Sequence, residues 1–515
     1  MFKRGMIIHG LIKIAGIIMF ALVIGLYGFL TYKAFRSTMY ASTDYVGYNW
    51  AYVIPDSPLK NALYCGMGLA VLFLVNALIK KYPAKAKAFE KALFVSVILL
   101  YLCAGIAYSL TSPYYPTGDQ INTTAGAVYA LNGNYAMFGH LGYIDICPHQ
   151  KGLLFFYEIY FKLFGEFNYI PVRILTVIMN TLTIVMGRSL VKEFGQQEFT
   201  GIVYTVLTAA CMPYFLLIPY AYGDLPSVFG MMVMIFFFYR FYTKGNIFNV
   251  LISALGSVFA ILNRSAAWIA VFALIITAFF LALKKRKFYP LACALFIAFI
   301  SFSALTAIGM GYEKLSGFDR HTGSPTIAYI AMGMQVSNGA PGVYNRYHQN
   351  LYEKYDGNKE LASEEAATYI RARIDEFKAD PGQAYDFYSA KALYQWNDPM
   401  FEWNTHMYSF KPDTVLTGFY DSLYRGKLHG YIFKFMNRYQ VFVYLLCFIT
   451  AVKGLIMLLK DDKSAIIFWF FNIFVIGGFL FSLIWEAKAR YSLPYMVFMI
   501  PAAVMLFAPL KEKSR

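Results

Sequence analysis

The sequence predicts an all-α polytopic membrane protein with about twelve transmembrane helices. Three observations carry that expectation. Apolar residues make up 59% of the 515 and charged residues only 14%, roughly half the charged share of a soluble domain. The apolar residues come in stretches close to the ~20 residues that cross a bilayer. Lysine and arginine alternate from rich to poor in the loops between those stretches. A soluble globule, collagen, a disordered chain and a disulfide scaffold are excluded. Cys65, Cys103, Cys211, Cys293 and Cys447 fall inside apolar stretches, which leaves Cys147 as the one thiol in an aqueous segment.

The first span is expected over residues 6–30. Lys3 and Arg4 precede it, but no small-residue cleavage site follows, so it reads as a retained helix. The others are expected over residues 61–79, 92–111, 170–187, 199–218, 226–243, 247–263, 266–283, 289–309, 436–457, 464–484 and 491–509. An even number of spans puts both termini on one side. Loops on that side hold Lys80, Lys81, Lys85, Lys87 and Lys91, and Lys284, Lys285, Arg286 and Lys287, whereas the short loops opposite hold Lys33, Arg36, Lys60, Arg264, Lys488 and Arg490. By the positive-inside rule both termini are cytoplasmic. The formal charge of +16 follows from this topology, because residues 310–430 carry 12 Lys plus Arg against 15 Asp plus Glu. Anionic membrane lipid, not nucleic acid, is the expected partner of the excess. The chain divides into an amino-terminal hairpin and loop (1–91), a transmembrane core (92–309) enclosing a first outer segment (112–169), a long outer loop (310–430) and the carboxy-terminal helices (431–515).

In the first outer segment, Pro113, Pro116 and Gly118 stop the third span and deliver Asp119 at the membrane surface. A short helix is expected from Gln120 to Leu131, ended by Asn132, Gly133, Asn134. An aromatic helix from Lys151 to Phe164 is too short to span. It is expected flat on the membrane, with Glu158 paired to Lys162 and Phe155, Phe156, Tyr160 and Phe161 against lipid. In the long loop, Glu364 to Ala379 predicts a helix behind Ser363, followed by a second helix to Trp396, and Thr322 to Val343 an irregular stretch at the membrane.

Ionisable groups in membrane-associated elements are costly, so several at one depth are informative. Asp119, Asp224, Arg264, Glu486, Lys488 and Arg490 all fall at outer ends of different spans, which predicts an external cavity. Each has a local alternative. Asp119 reads as an Asx turn or a general base, and Asp224, two residues before Pro226, as a helix cap or a site residue. Arg264, in the tight connection Asn263, Arg264, Ser265, either snorkels or binds an anion. Glu486, Lys488 and Arg490, beside Trp485 and Tyr491, are a belt of anchors or a cavity wall. Asp119, His140, Asp145 and His149 share one segment, but their spacing fits no tight metal motif. No metal ligand is assigned, and a divalent ion is the weaker alternative.

Tyr115 to Gln120, the paired surface helices behind them, Pro148 to Gln150, Arg264 and Glu486 to Pro494 together resemble the GT-C superfamily of integral-membrane glycosyltransferases. The resemblance is to the bacterial branch similar to protein mannosyltransferases and lipid A aminoarabinose transferases (family 39-type), and it runs from about Lys91 onward. In that family the acid commonly follows soon after the first helix, whereas two further spans precede it here, and Gln120 stands where a second acid is common.

The resemblance implies a bacterial plasma-membrane enzyme acting on the outer face, with a polyprenyl-phosphate-linked sugar as donor and Asp119 as the catalytic residue. Asp119 would take the acceptor hydroxyl's proton as that oxygen attacks the anomeric carbon. The polyprenyl phosphate leaves as an anion, so no second carboxylic acid is required, unlike glycoside hydrolysis. Arg264, Arg490 and Lys488 would hold the phosphate, while Tyr115, Gln120, His149, Gln150, Asp224 and Glu486 would bind substrate. Single displacement predicts inversion, and no cofactor is required. The acceptor would be a cell-envelope glycopolymer, lipid or protein, with Tyr344, Tyr347, Trp396 and Trp403 shaping its approach. A polymer ligase using lipid-diphosphate donors shares this layout. A transporter shares the helix count, but its charges belong near the midplane.

Overall fold

The computed structural model describes residues 2–43, 49–195, 197–337, 339–411, 414–460 and 466–507. Nine helices among the described residues are long and apolar enough to cross a bilayer, so this is a polytopic integral membrane protein. Its larger elements are α1 (Phe2–Arg36), a hairpin of β1 (Ser37–Thr43) and β2 (Asn49–Pro55), α2 (Pro58–Lys81), α3 (Pro83–Thr111), α4 (Asp119–Leu131), α5 (Lys151–Phe164), α6 (Tyr169–Phe194) and α7 (Gln197–Ala210). They continue with α8 (Asp224–Lys244), α9 (Phe248–Asn263), α10 (Trp268–Lys285), α11 (Tyr289–Ser316), α12 (Lys359–Ala379), α13 (Pro381–Trp396), α14 (Lys427–Leu459), α15 (Trp469–Ile484) and α16 (Leu493–Ala503).

Each of the twelve apolar stretches falls on a helix, but α7, α9 and α15 have only 14, 16 and 16 residues. The 199–218 stretch divides at Cys211 because Pro213 opens a separate five-residue helix, Met212–Leu216. The first residues of the 464–484 stretch and the last of 491–509 lie outside the described residues. The two central helices, α8 and α9, meet at glycines. A β-carbon at Gly230 would stand 2.7 Å from the Gly256 carbonyl oxygen, so alanine there forces the helices apart.

The first outer segment follows its expected bounds, yet the lipid face of α5 differs. Tyr160 and Phe161 are buried with Leu153, Leu154 and Tyr157, and Ile159, Leu163 and Phe164 are the exposed apolar side chains. Glu158 accepts a hydrogen bond from the Tyr312 hydroxyl at 2.5 Å, so α5 packs on α11 as well as on α4. In the long loop, α12 begins at Lys359, capped by Asn358 and not by Ser363, because the Asn358 side chain accepts the Leu361 N–H. Residues 322–343 include a short helix, Thr326–Met332, and a two-residue hairpin.

The long loop also enters the core. Trp396, Met400, Phe401, Trp403 and Met407 are buried among the membrane helices, with Trp396 Nε1 bonded to Ser482 Oγ at 3.0 Å and Trp403 Nε1 to the Leu216 carbonyl at 3.1 Å. These tryptophans are fully buried and present no face to an acceptor. Tyr347 packs on Tyr369 at 5.8 Å and is likewise turned away, whereas Tyr344 is exposed. The β1–β2 hairpin, not expected from sequence, braces this loop: Met39 N–H donates to Asn397 O at 3.0 Å, and Asn397 Nδ2 donates to Ser37 O at 2.6 Å.

Candidate functional site

The helix ends carrying the predicted charges meet around one cavity of about 1350 Å³. Asp119, Gln120, His149, Gln150, Asp224, Arg264, Glu486, Lys488 and Arg490 all line it. Tyr115 does not: its N–H is bonded to Ser409 O at 2.9 Å, and Lys411 lies over its ring. The cavity extends downwards between α8, α10 and α15, past Met231, Phe272 and Phe474. Phe474 lies ten residues below the end of α15, a depth of about 15 Å at ~1.5 Å per residue. That is about half the ~30 Å hydrocarbon thickness.

Two glycines explain the convergence. A β-carbon at Gly152, in the first turn of α5, would stand 2.6 Å from the Leu262 carbonyl oxygen, and one at Gly223 would collide with the Asn263 carbonyl. Glycine at both positions lets two distant segments touch the end of α9. Gln150 and Tyr222, which flank those contacts, are joined by a hydrogen bond from Gln150 Nε2 to the Tyr222 hydroxyl.

Asp224 is the electrostatic centre. Arg490 Nη1 donates to its Oδ2 at 2.6 Å, and Arg264 Nε stands 3.4 Å from its Oδ1. It is the first residue of α8 and acts as counter-ion to two guanidiniums, with no capping hydrogen bond from it. Arg264 lies between the rings of Tyr222 and Tyr491, at 5.0 and 4.9 Å, and Arg490 lies 4.8 Å from Tyr220. Burial opposes the charge on Arg264, and Asp224 together with Tyr222 and Tyr491 outweighs it, raising its pKa. One carboxylate against two guanidiniums leaves the cluster net positive. Arg490 is 2% exposed, yet its Nε has no partner among the described residues. Ser227 Oγ, Asn263 Oδ1 and Gln395 Oε1, on the same cavity, also lack one. Arg490 Nε and the Ser227 hydroxyl can donate while Asn263 Oδ1 and Gln395 Oε1 can only accept, so the net-positive wall offers both donors and acceptors to whatever enters, and each such group left unpaired costs about 1–3 kcal/mol.

Asp119 opens α4 behind Gly118, whose φ of 55° is the left-handed conformation that favours glycine. Its carboxylate is exposed to the cavity and accepts the Tyr143 hydroxyl at 3.3 Å, in place of the peptide N–H of an Asx turn. Burial, then Tyr222 and Asp119, raise the Tyr143 pKa, so that hydroxyl keeps its proton. The fields of Asp119, Arg264 and Arg490 all reach the Tyr220 and Tyr222 hydroxyls, and those of Asp119 and Arg264 both reach His149. Enclosure first and Arg264 second pull the His149 imidazole down to about 4, so it is neutral at pH 7.

The remaining predicted residues have defined neighbours. Gln120 Oε1 accepts the Tyr114 hydroxyl at 2.6 Å. Glu486 is buried and accepts the Tyr491 hydroxyl, while the Lys488 ammonium lies 5.4 Å over Tyr344. They form a cavity wall, not a belt of lipid anchors. The four residues of the metal alternative disperse: His140 pairs with Asp356 at 2.8 Å, and Asp145 accepts the Leu141 N–H and the Tyr352 hydroxyl. No group of three or more His, Cys, Asp or Glu among the described residues is placed to hold a metal ion.

The long loop does reach the cavity, where Tyr344 lines it as expected, but sequence reasoning missed most of the residues it contributes. Tyr329, Arg346, His348, Thr405 and His406 line the same cavity, and Glu402 stands fully buried behind His406. Tyr329 is stacked between His348, at 4.0 Å, and Trp485, at 5.1 Å. The available signal was the apolar run Trp396, Met400, Phe401, Trp403, Met407 inside a polar segment. Compared with models of protein families, with curated proteins and with solved structures, the chain matches none.

Proposed function

We propose that the protein is an inverting glycosyltransferase of the GT-C type. It has twelve transmembrane helices and cytoplasmic termini, and it moves a sugar from a polyprenyl-phosphate carrier to a cell-envelope hydroxyl on the outer face of a bacterial plasma membrane. The observation that supports this best is the shared cavity. A solvent-facing carboxylate, Asp119, and two guanidiniums, Arg264 and Arg490, open onto one hollow that continues between apolar helices. The acceptor oxygen attacks the anomeric carbon while its proton passes to Asp119, and the carbon–oxygen bond to phosphate breaks. The electron pair leaves on the phosphate, where Arg264 and Arg490 meet it and Asp224 holds both guanidiniums in place. Lys488 adds a third cation to the same wall.

The test is to incubate purified protein with polyprenyl-phosphate sugars and, separately, with polyprenyl-diphosphate oligosaccharides, and to read the product anomer by NMR. Consumption of the monophosphate with inversion is expected. Consumption of the diphosphate alone identifies a polymer ligase, and turnover of neither removes the enzymatic reading.

A further inference from the structure

The cavity wall includes His406, which with Glu402 buried behind it forms a pair that the proposed chemistry leaves unused. Glu402 Oε1 accepts the Tyr394 hydroxyl at 2.7 Å and the Ala489 N–H at 3.2 Å, and its Oε2 stands 2.8 Å from His406 Nε2. An ionised carboxylate can only accept, so it fixes the tautomer: the imidazole gives Nε2–H to Glu402, and Nδ1 keeps its lone pair. Nothing among the described residues donates to Nδ1, and the ring lines the cavity. The groups facing it are the Tyr220 ring at 5.6 Å, Arg490, Lys488 and Asp224. Burial, then Arg490, hold the imidazole at about 4, against Glu402, so the lone pair is intact at neutral pH. The backbone that carries Glu402 is strained. Phe401 and Glu402 have consecutive φ of 51° and 54°, rare for non-glycine residues, pinned by the Asp398 carboxylate, which accepts the Met400 and Glu402 N–H groups at 2.9 and 2.7 Å.

We propose that Glu402 and His406 form a hydroxyl-recognition site, in which His406 Nδ1 accepts a hydrogen bond from a ring hydroxyl of the donor sugar whose phosphate sits on Arg490. The assignment rests on the polyprenyl-phosphate reading. A guanidinium beside a neutral imidazole lone pair matches a phosphate beside a sugar O–H, one site offering protons and the other receiving one. Glu402 is a positioning residue, since it acts through the tautomer of His406 and through the Ala489 N–H next to Arg490.

Glu402→Gln tests the pair without changing its shape. The glutamine oxygen keeps Tyr394 and Ala489, while its amide N–H confronts Nε2 and drives the ring proton to Nδ1, turning acceptor into donor. Nitrogen-15 NMR of the seven histidines, with His406 assigned by its absence in His406→Phe, is expected to show Nε2–H in the wild type and Nδ1–H in Glu402→Gln. The wild type, given polyprenyl-phosphate mannose or glucose and their monodeoxy analogues, is expected to lose roughly 10–100-fold in kcat/KM at one ring position. His406→Phe, which keeps a planar ring but removes both ring nitrogens, is expected to lose that discrimination while its acceptor KM is unchanged, with a melting curve to confirm that the variant is folded although Glu402 Oε2 loses its partner. An Nδ1–H tautomer in the wild type, or discrimination retained in His406→Phe, overturns the proposal alone. Wild-type turnover of no polyprenyl-phosphate sugar overturns the donor reading and the proposal with it.

Discussion

Two buried carboxylates, one towards each end of the helix bundle, each hold two cations, and they differ in what is left over. Near the start of α3, Glu90 takes Arg188 by a two-pronged bond, Nε and Nη2 both at 2.7 Å, and Lys192 at 2.8 Å. Its oxygens are saturated, and the trio lines no part of the cavity. At the other end, Asp224 holds Arg490 closely and Arg264 more loosely, Arg490 Nε has no partner among the described residues, and the trio looks into the cavity. Equal charge counts therefore do not imply equal roles. A saturated buried ion group joins helices, whereas an unsaturated one at a cavity wall is prepared for a further anion.

The comparison breaks first at Asp119, which has no counterpart near Glu90. Asp119→Asn is expected to lower glycosyl transfer by roughly 10²–10⁴-fold, the range for loss of a general base. Melting temperature and binding of a prenyl monophosphate should stay at wild-type levels. Full transfer in this variant would assign the proton to another group.

Removing either carboxylate should be costly in the same way and rescued differently. Asp224→Ala and Glu90→Ala each leave cations buried without a counter-ion, a loss of about 3–5 kcal/mol read by detergent-solubilised denaturation. A prenyl monophosphate is expected to restore much of the stability of Asp224→Ala, because its phosphate can replace the missing carboxylate between Arg264 and Arg490. It should leave Glu90→Ala unchanged. Equal rescue, or none, erases the distinction between the two trios.

Arginine removal sharpens the same distinction at smaller amplitude. Arg264→Ala and Arg490→Ala should each reduce donor kcat/KM by about 10–100-fold, with little change in acceptor KM, and Arg188→Ala should alter neither. Normal donor kinetics in both cavity variants would take those arginines out of the phosphate site.

The saturated trio and the open one were unequally legible in the sequence. Apolar length located the helices, nine of which among the described residues are long enough to span, and charges at helix ends marked Asp119, Asp224, Arg264, Glu486, Lys488 and Arg490, which meet at the cavity. Those signals are local and survive folding. The role of Asp224 was not legible, because a carboxylate ahead of a proline looks like a cap until its distant partner, 266 residues away, is known. Glu402 and His406 were hidden for a related reason. They lie in a segment whose average composition is polar, and burial there comes from Trp396, Trp403 and Met407 inserting among helices that the sequence alone does not place beside them. The β1–β2 hairpin was missed because short strands gain their stability from a surface they cover, here Asn397 and Asn404 of the long loop, and not from their own pattern.

The smallest predicted effect concerns the proton that the cavity refuses. His406 has its folded pKa lowered from 6.5 to about 4, chiefly by burial and then by Arg490. Above pH 6.5 the ring is neutral in both folded and unfolded chains and contributes nothing. As pH falls from 6.5 towards 4, the unfolded chain binds a proton that the folded chain declines, so stability is lost across that window. His406→Gln lacks a titrating group, so the stability difference between wild type and variant should shift against the wild type as pH drops from 7 to 4.5, measured by thermal melting in matched detergent. The Glu90 trio supplies the control, because Arg188 stays charged throughout and Arg188→Ala removes no group that titrates between pH 4.5 and 7. A difference that stays flat with pH would mean that His406 protonates freely while folded, and the neutral, lone-pair imidazole beside Arg490 would not exist.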